Sequence, residues 1–66
     1  MSYIIQRRLD DGAWVSGAPG DDRTRAIALA FTGICMADRP RAEAENIRVV
    51  DGDGNLVWAA AAKGAA

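Results

Sequence analysis

The chain has 66 residues, one cysteine, no histidine and a formal net charge of −1. That length allows a single domain of marginal stability, and one cysteine excludes an intramolecular disulfide or a Cys/His zinc site. A hydrophobic share of 50% with 26% charged residues marks a globular chain, while a pI near 5.1 argues against non-specific nucleic-acid binding, which draws on a basic excess.

The N-terminal residues Met1-Ser2-Tyr3-Ile4-Ile5 pass directly into a strand-like run without the charged and apolar regions of a signal peptide. No apolar run approaches the roughly 20 residues that span a bilayer. Both features predict a cytoplasmic protein. Tyr3 to Leu9 reads as a first strand. Tyr3, Ile5, Arg7 and Leu9 fall on one face by the two-residue period, and Ile4, Gln6 and Arg8 on the other. Arg7 and Arg8 therefore cannot join the same patch. Asp10-Asp11-Gly12 is a turn, and Ala13 to Gly17 a short second strand weakened by its glycine.

The run Gly17-Ala18-Pro19-Gly20 breaks this strand and leads to Asp21-Asp22, either of which could cap a helix. The periodicity predicts that helix from about Arg23 to Ala37. Ile27, Ala30, Phe31, Ile34 and Cys35 are expected to face the sheet, and Arg25, Leu29, Thr32 and Met36 to face away. Cys35 is thus expected in the core. Leu29 and Met36 form a secondary candidate surface. Asp38-Arg39-Pro40-Arg41 ends the helix, because proline disfavours helical geometry in the residue before it. Ala42 to Asn46 reads as a loop or one further helical turn.

Ile47 to Trp58 is the clearest stretch. Two apolar, β-branched runs flank Asp51-Gly52-Asp53-Gly54-Asn55, whose residue types suit the positive-φ geometry of tight hairpins. The Asp51, Asp53, Asn55 alternation matches the first ligands of a calcium loop. The match ends at Leu56, where the loop needs glycine, and at Ala62, where it needs glutamate. Residues 59–66 form an alanine-rich tail whose conformation the sequence leaves open between a strand extension and a frayed helix.

The order ββαββ predicts a two-layer α+β domain over residues 1–66. It has a four-stranded antiparallel sheet and one helix packed on one face. A fully antiparallel sheet requires the order 2-1-3-4 or 1-2-4-3. The first is preferred, since Ile4-Ile5 suits an interior strand and Gly17 an edge. That topology brings the loop after strand 2 and the last hairpin turn to one end, and gathers Asp21, Asp22, Asp51 and Asp53 there. Their types suit turns and caps; together they also make an acidic surface able to steer a basic partner.

The absence of histidine removes the commonest general base and metal ligand. No phosphate-loop glycine pattern or nucleophile elbow is present. The expectation is a non-enzymatic chain without cofactor or metal. Arg39 and Arg41 are interspersed with Asp38, Glu43 and Glu45, a mixed surface. Trp14 and Trp58 could stack on bases, though core packing of at least one is expected in so small a domain.

Tyr3-Ile4-Ile5, the helix through Cys35, and Ile47-Arg48-Val49 with Gly54-Asn55-Leu56-Val57-Trp58-Ala59 resemble the small phage-encoded anti-CRISPR proteins that bind type I (Cascade) surveillance complexes. The resemblance covers the order of elements over most of the chain and a minority of its residues. Gly12-Ala13-Trp14-Val15 also looks like a widespread class of small bacterial and phage domains. The anti-CRISPR resemblance implies an inhibitor in the host bacterial cytoplasm that occupies a Cascade subunit's basic, DNA-handling surface and blocks target DNA. The aspartate-rich end would be the docking site. Near-neutral charge departs from DNA mimicry over the whole surface, and direct nucleic-acid binding is not expected. Monomer and homodimer both remain open, the latter as a self-associating structural domain. Weak single-strand binding through Arg7, Arg8 and a tryptophan is a third reading.

Overall fold

A computed structural model describes residues 2–17 and 19–60. Its elements are β1 (Tyr3–Arg8), β2 (Trp14–Ser16), α1 (Arg23–Cys35), α2 (Pro40–Ala44), β3 (Ile47–Asp51) and β4 (Leu56–Ala59). The sheet is antiparallel throughout with the order β2-β1-β3-β4, the order expected from the sequence. The alternative 1-2-4-3 is excluded. β1 and β3 form the centre, with Ile5 opposite Val49 and Gln6 opposite Arg48.

Both hairpins turn in the same way. Leu9 N–H donates to the Ala13 carbonyl at 2.8 Å and Gly12 N–H to that of Leu9 at 2.9 Å. Asp51 N–H likewise donates to Asn55 at 2.9 Å and Gly54 N–H to Asp51 at 3.0 Å. In each three-residue loop the last residue is a glycine at positive φ, Gly12 at 90° and Gly54 at 86°, where a side chain would be strained. A bulge follows the second turn. Val49 faces Trp58 but Val50 faces Leu56, so Val57 is the extra residue, and both Val57 and Trp58 pack against the core.

Asp22 caps α1, its Oδ1 accepting from the Arg25 N–H at 3.1 Å. The buried stripe of α1 is Ala26, Ala30 and Ile34, packed on Ile47 and Val49 with Tyr3, Ile5, Ile27 and Trp58 around them. This corrects the expected helix face by a rotation of roughly 70° at 100° per residue. Ala30 and Ile34 face the sheet and Ile27 is half-buried, but Phe31 and Cys35 are exposed. Two alanines on the contact line let the helix axis approach the sheet closely, so a stripe of small residues wins over one containing the bulky Phe31. Leu29 and Met36 are exposed, as the periodicity indicated.

The segment after α1 contains one further helical turn, α2, with Pro40 at its start and Arg39 outside helical geometry at φ −129°, ψ 82°. α2 lies on the same side of the sheet as α1, where Ala44 joins the core cluster. Ala59 belongs to β4 and pairs with Arg48, which removes it from the expected tail. The question of the tail's conformation otherwise falls on residues 61–66, outside the described residues. No described helix is long and apolar enough to cross a membrane.

Candidate functional sites

Two regions bring chemistry-bearing side chains together. The first is the Tyr3 end of the sheet. Tyr3 pairs with Asp51 of β3 and, through a two-hydrogen-bond bridge, with Gly20 on the other side. This double pairing places Asp21 and Asp22, which follow Gly20, at the same end as the Asp51–Asn55 turn. A cleft of about 410 Å³ opens there, lined by Tyr3, Gly20, Asp21, Asp22, Arg25 and Leu29 among others.

The four aspartates divide by role. Asp51 Oδ1 accepts the backbone N–H groups of Asp53 and Asn55, each at 2.9 Å, and Asp22 Oδ1 accepts that of Arg25. The Asn55 N–H is the main reason the Asp51 carboxyl lies below its ordinary range; desolvation opposes this, and the Asp53 N–H, the Asn55 side chain and the Gly54 N–H add to it. Asp51 and Asp22 therefore shape the backbone. The carboxylates of Asp21 and Asp53 make no hydrogen bond or ion pair among the described residues. Arg25, which lines the cleft, offsets part of the negative potential.

The second region lies on the sheet face opposite the helices, toward the other end of β1. Strand alternation and register put Gln6, Arg8, Trp14, Ser16 and Arg48 on this face. The Arg48 guanidinium stacks 3.9 Å from the Trp14 ring centroid and that of Arg8 lies at 5.8 Å. Gln6 fixes the arrangement: its Oε1 accepts from Arg48 Nε at 2.7 Å, and its Nε2 donates to Ser16 Oγ at 3.1 Å. Arg8 donates through Nε and Nη2 to Asn46 Oδ1 at 3.3 and 3.1 Å. Among the described residues neither arginine has a carboxylate within ion-pair distance. Farther along this face lie the half-buried Ile4, the buried Val50 and the exposed Leu56, so the face is covered at Val50 and open at Leu56.

Arg7 has a different fate. It points to the helix side and donates to Glu43 Oε2 of α2 at 3.1 Å, leaving the buried Glu43 Oε1 without a partner among the described residues. Trp58 likewise belongs to the core side. The structure thus brings Arg8 together with Trp14 and separates Arg7 and Trp58 from them.

Arg48 was not singled out by sequence reasoning. The signal was its phase within Ile47-Arg48-Val49, between two core residues and so pointing away from them; its juxtaposition with Trp14 needed the β1–β3 register. The secondary candidates Leu29, on α1, and Met36, at its C-cap, are 54% and 81% exposed. Leu29 borders the acidic cleft, and Met36 a second cleft toward α2. Comparison with protein-family models, curated proteins and solved structures finds no match.

Proposed function

We propose that this chain is a non-enzymatic binding module that docks on a basic protein surface through its Tyr3 end. The observation that carries the reading is that strand pairing on both sides of Tyr3 brings Asp21 and Asp22, which line the cleft, to the same end of the sheet as Asp51 and Asp53 of the last turn. Four carboxylates against Arg23 and Arg25 of the first helical turn leave a reduced negative potential that speeds encounter with a cationic surface and sets orientation. Under the anti-CRISPR resemblance, the partner is the DNA-handling surface of a type I effector complex, which the module would block as a stoichiometric inhibitor in the bacterial cytoplasm.

The test is retention of purified type I effector complexes on the immobilised protein at about micromolar concentration, the range of functional protein partners. A retained complex is expected, with affinity falling about tenfold in the double variant Asp21→Lys, Asp53→Lys. Those two positions are chosen because their carboxylates hold no local hydrogen bond, so the fold is spared. Absence of any retained complex would remove the proposed partner. Unchanged affinity in the double variant would remove the acidic end as the docking site.

A second reading rests on the exposed Leu29–Met36 flank, a homodimer that buries these apolar side chains. Equilibrium sedimentation decides it. A mass that rises with concentration in the parent protein, and not in Met36→Lys, is its expected outcome.

A further inference from the structure

We infer that the sheet face opposite the helices binds single-stranded nucleic acid, its phosphates held by Arg8 and Arg48 beside Trp14. This site is separate from the acidic end. The argument starts from what the arginines have left to give. Arg48 spends Nε on Gln6 and Arg8 spends Nε and Nη2 on Asn46. Among the described residues the terminal Nη1 and Nη2 groups of Arg48, and Nη1 of Arg8, make no hydrogen bond. A guanidinium edge of this kind matches phosphate oxygens, two N–H groups to one anion.

The guanidinium groups are also held in place. Gln6 bridges Arg48 to Ser16 across three strands, and the Trp14 indole lies under the Arg48 plane at 3.9 Å. Such positioning lowers the entropy lost when a ligand orders an arginine side chain. Two cations against one ring repel each other unless an anion comes between them. None of the described residues supplies a carboxylate to either, although Asp10 and Asp11 lie in the neighbouring turn.

The choice of ligand follows from the mixture of groups. Each nucleotide of a single strand presents an anion and a planar ring. This face offers a partner for both: guanidinium for phosphate, and indole or a stacked guanidinium plane for a base. Ile4 and the exposed Leu56 continue the surface with apolar area that base faces can cover. An acidic peptide would use the arginines and leave the ring without a counterpart. A duplex hides its base faces. Both arginines stand on this face without an ion pair among the described residues, with Asp10 and Asp11 in the adjoining turn as the nearest acidic residues in sequence to Arg8.

The test is fluorescence anisotropy of a labelled single-stranded oligonucleotide of mixed sequence, about 12 nucleotides long to exceed a minimal site. Binding is expected at low salt, weakening with a log–log slope of about −1.4 for two phosphate contacts on a single strand. Arg48→Gln and Arg8→Gln should each weaken it about tenfold, while Arg41→Gln, on α2, leaves it unchanged. Trp14→Phe should retain binding better than Trp14→Ala, with circular dichroism confirming that each variant is folded. No anisotropy change with the parent protein at about millimolar concentration and low salt overturns the inference. So does equal weakening by Arg41→Gln. Displacement by polyglutamate at equal charge concentration, as effective as by unlabelled strand, would show an acidic-peptide site and overturn it too.

Discussion

On the helix side of the sheet Arg7 reaches Glu43 of α2 at 3.1 Å, whereas on the opposite face Arg8 and Arg48 meet no carboxylate among the described residues and gather at Trp14. Arg7 and Arg8 are neighbours in sequence, and strand alternation alone sends them apart. The covered face uses its arginine to close the edge of a packed interior, beside Ile47 and Val49. The other face holds its arginines with neutral groups, Gln6 and Asn46, which orient a guanidinium without cancelling its charge. The contrast separates an arginine satisfied within the fold from arginines left with capacity for a ligand.

The largest test of this contrast is packing. Val49 is fully buried beneath α1, so Val49→Ala should cost about 2–3 kcal/mol, transfer and cavity terms together. That is a large part of the stability of so small a domain. Leu56→Ala, on the opposite face at 59% exposure, should cost less than about 1 kcal/mol. Urea denaturation measures both. Equal costs would mean that the second face is packed in solution as the first is, and the contrast would collapse.

The turns come next. Gly54→Ala and Gly12→Ala each force a side chain into positive φ, at an expected cost of about 1 kcal/mol or more. Similar losses in the two variants, measured by thermal unfolding, would sharpen the likeness of the hairpins. Unequal losses would show that one turn is held more firmly by its surroundings.

Asp51 gives the third test. Its folded carboxyl titrates below the ordinary value of 3.8, so between the two values the unfolded chain binds more protons. The contribution is present above the unfolded value and is lost as pH falls through the folded one. Asp51→Asn should therefore flatten the acid limb of the stability–pH curve below about pH 4, as followed by urea midpoints. An unchanged acid limb would mean that the turn does not depend on the charge.

The smallest effect is expected at Glu43→Gln. The lost ion pair is half in solvent, with Arg7 66% exposed, and the variant relieves a buried carboxylate oxygen that has no partner among the described residues. Opposed effects of this size should leave stability within about 0.5 kcal/mol, again by urea denaturation. A loss several times larger would mean that the pair anchors α2 rather than decorating it.

By itself the sequence determined the elements that rest on local chemistry. Asp10-Asp11-Gly12 and Asp51-Gly52-Asp53-Gly54 encode their turns because glycine accepts positive φ and the carboxylates of Asp11 and Asp51 accept nearby backbone N–H groups. Asp22 encodes the helix start, Pro40 a helix boundary, and the two-residue period the divergence of Arg7 and Arg8. Even the strand order followed, because Ile4-Ile5 needs neighbours on both sides and Gly17 tolerates an edge. The aspartates at the Tyr3 end were legible through that topology. Tertiary structure alone decided the rest. The rotation of α1 onto Ala26, Ala30 and Ile34, which exposed Phe31 and Cys35, depends on how closely a helix can approach this particular sheet. Periodicity within the helix cannot measure that distance. The meeting of Arg48 with Trp14 likewise depends on two registers, β2 on β1 and β1 on β3. Neither residue carries the other's address; only pairing through the intervening strand brings an arginine and a tryptophan so far apart in the chain to one ring contact.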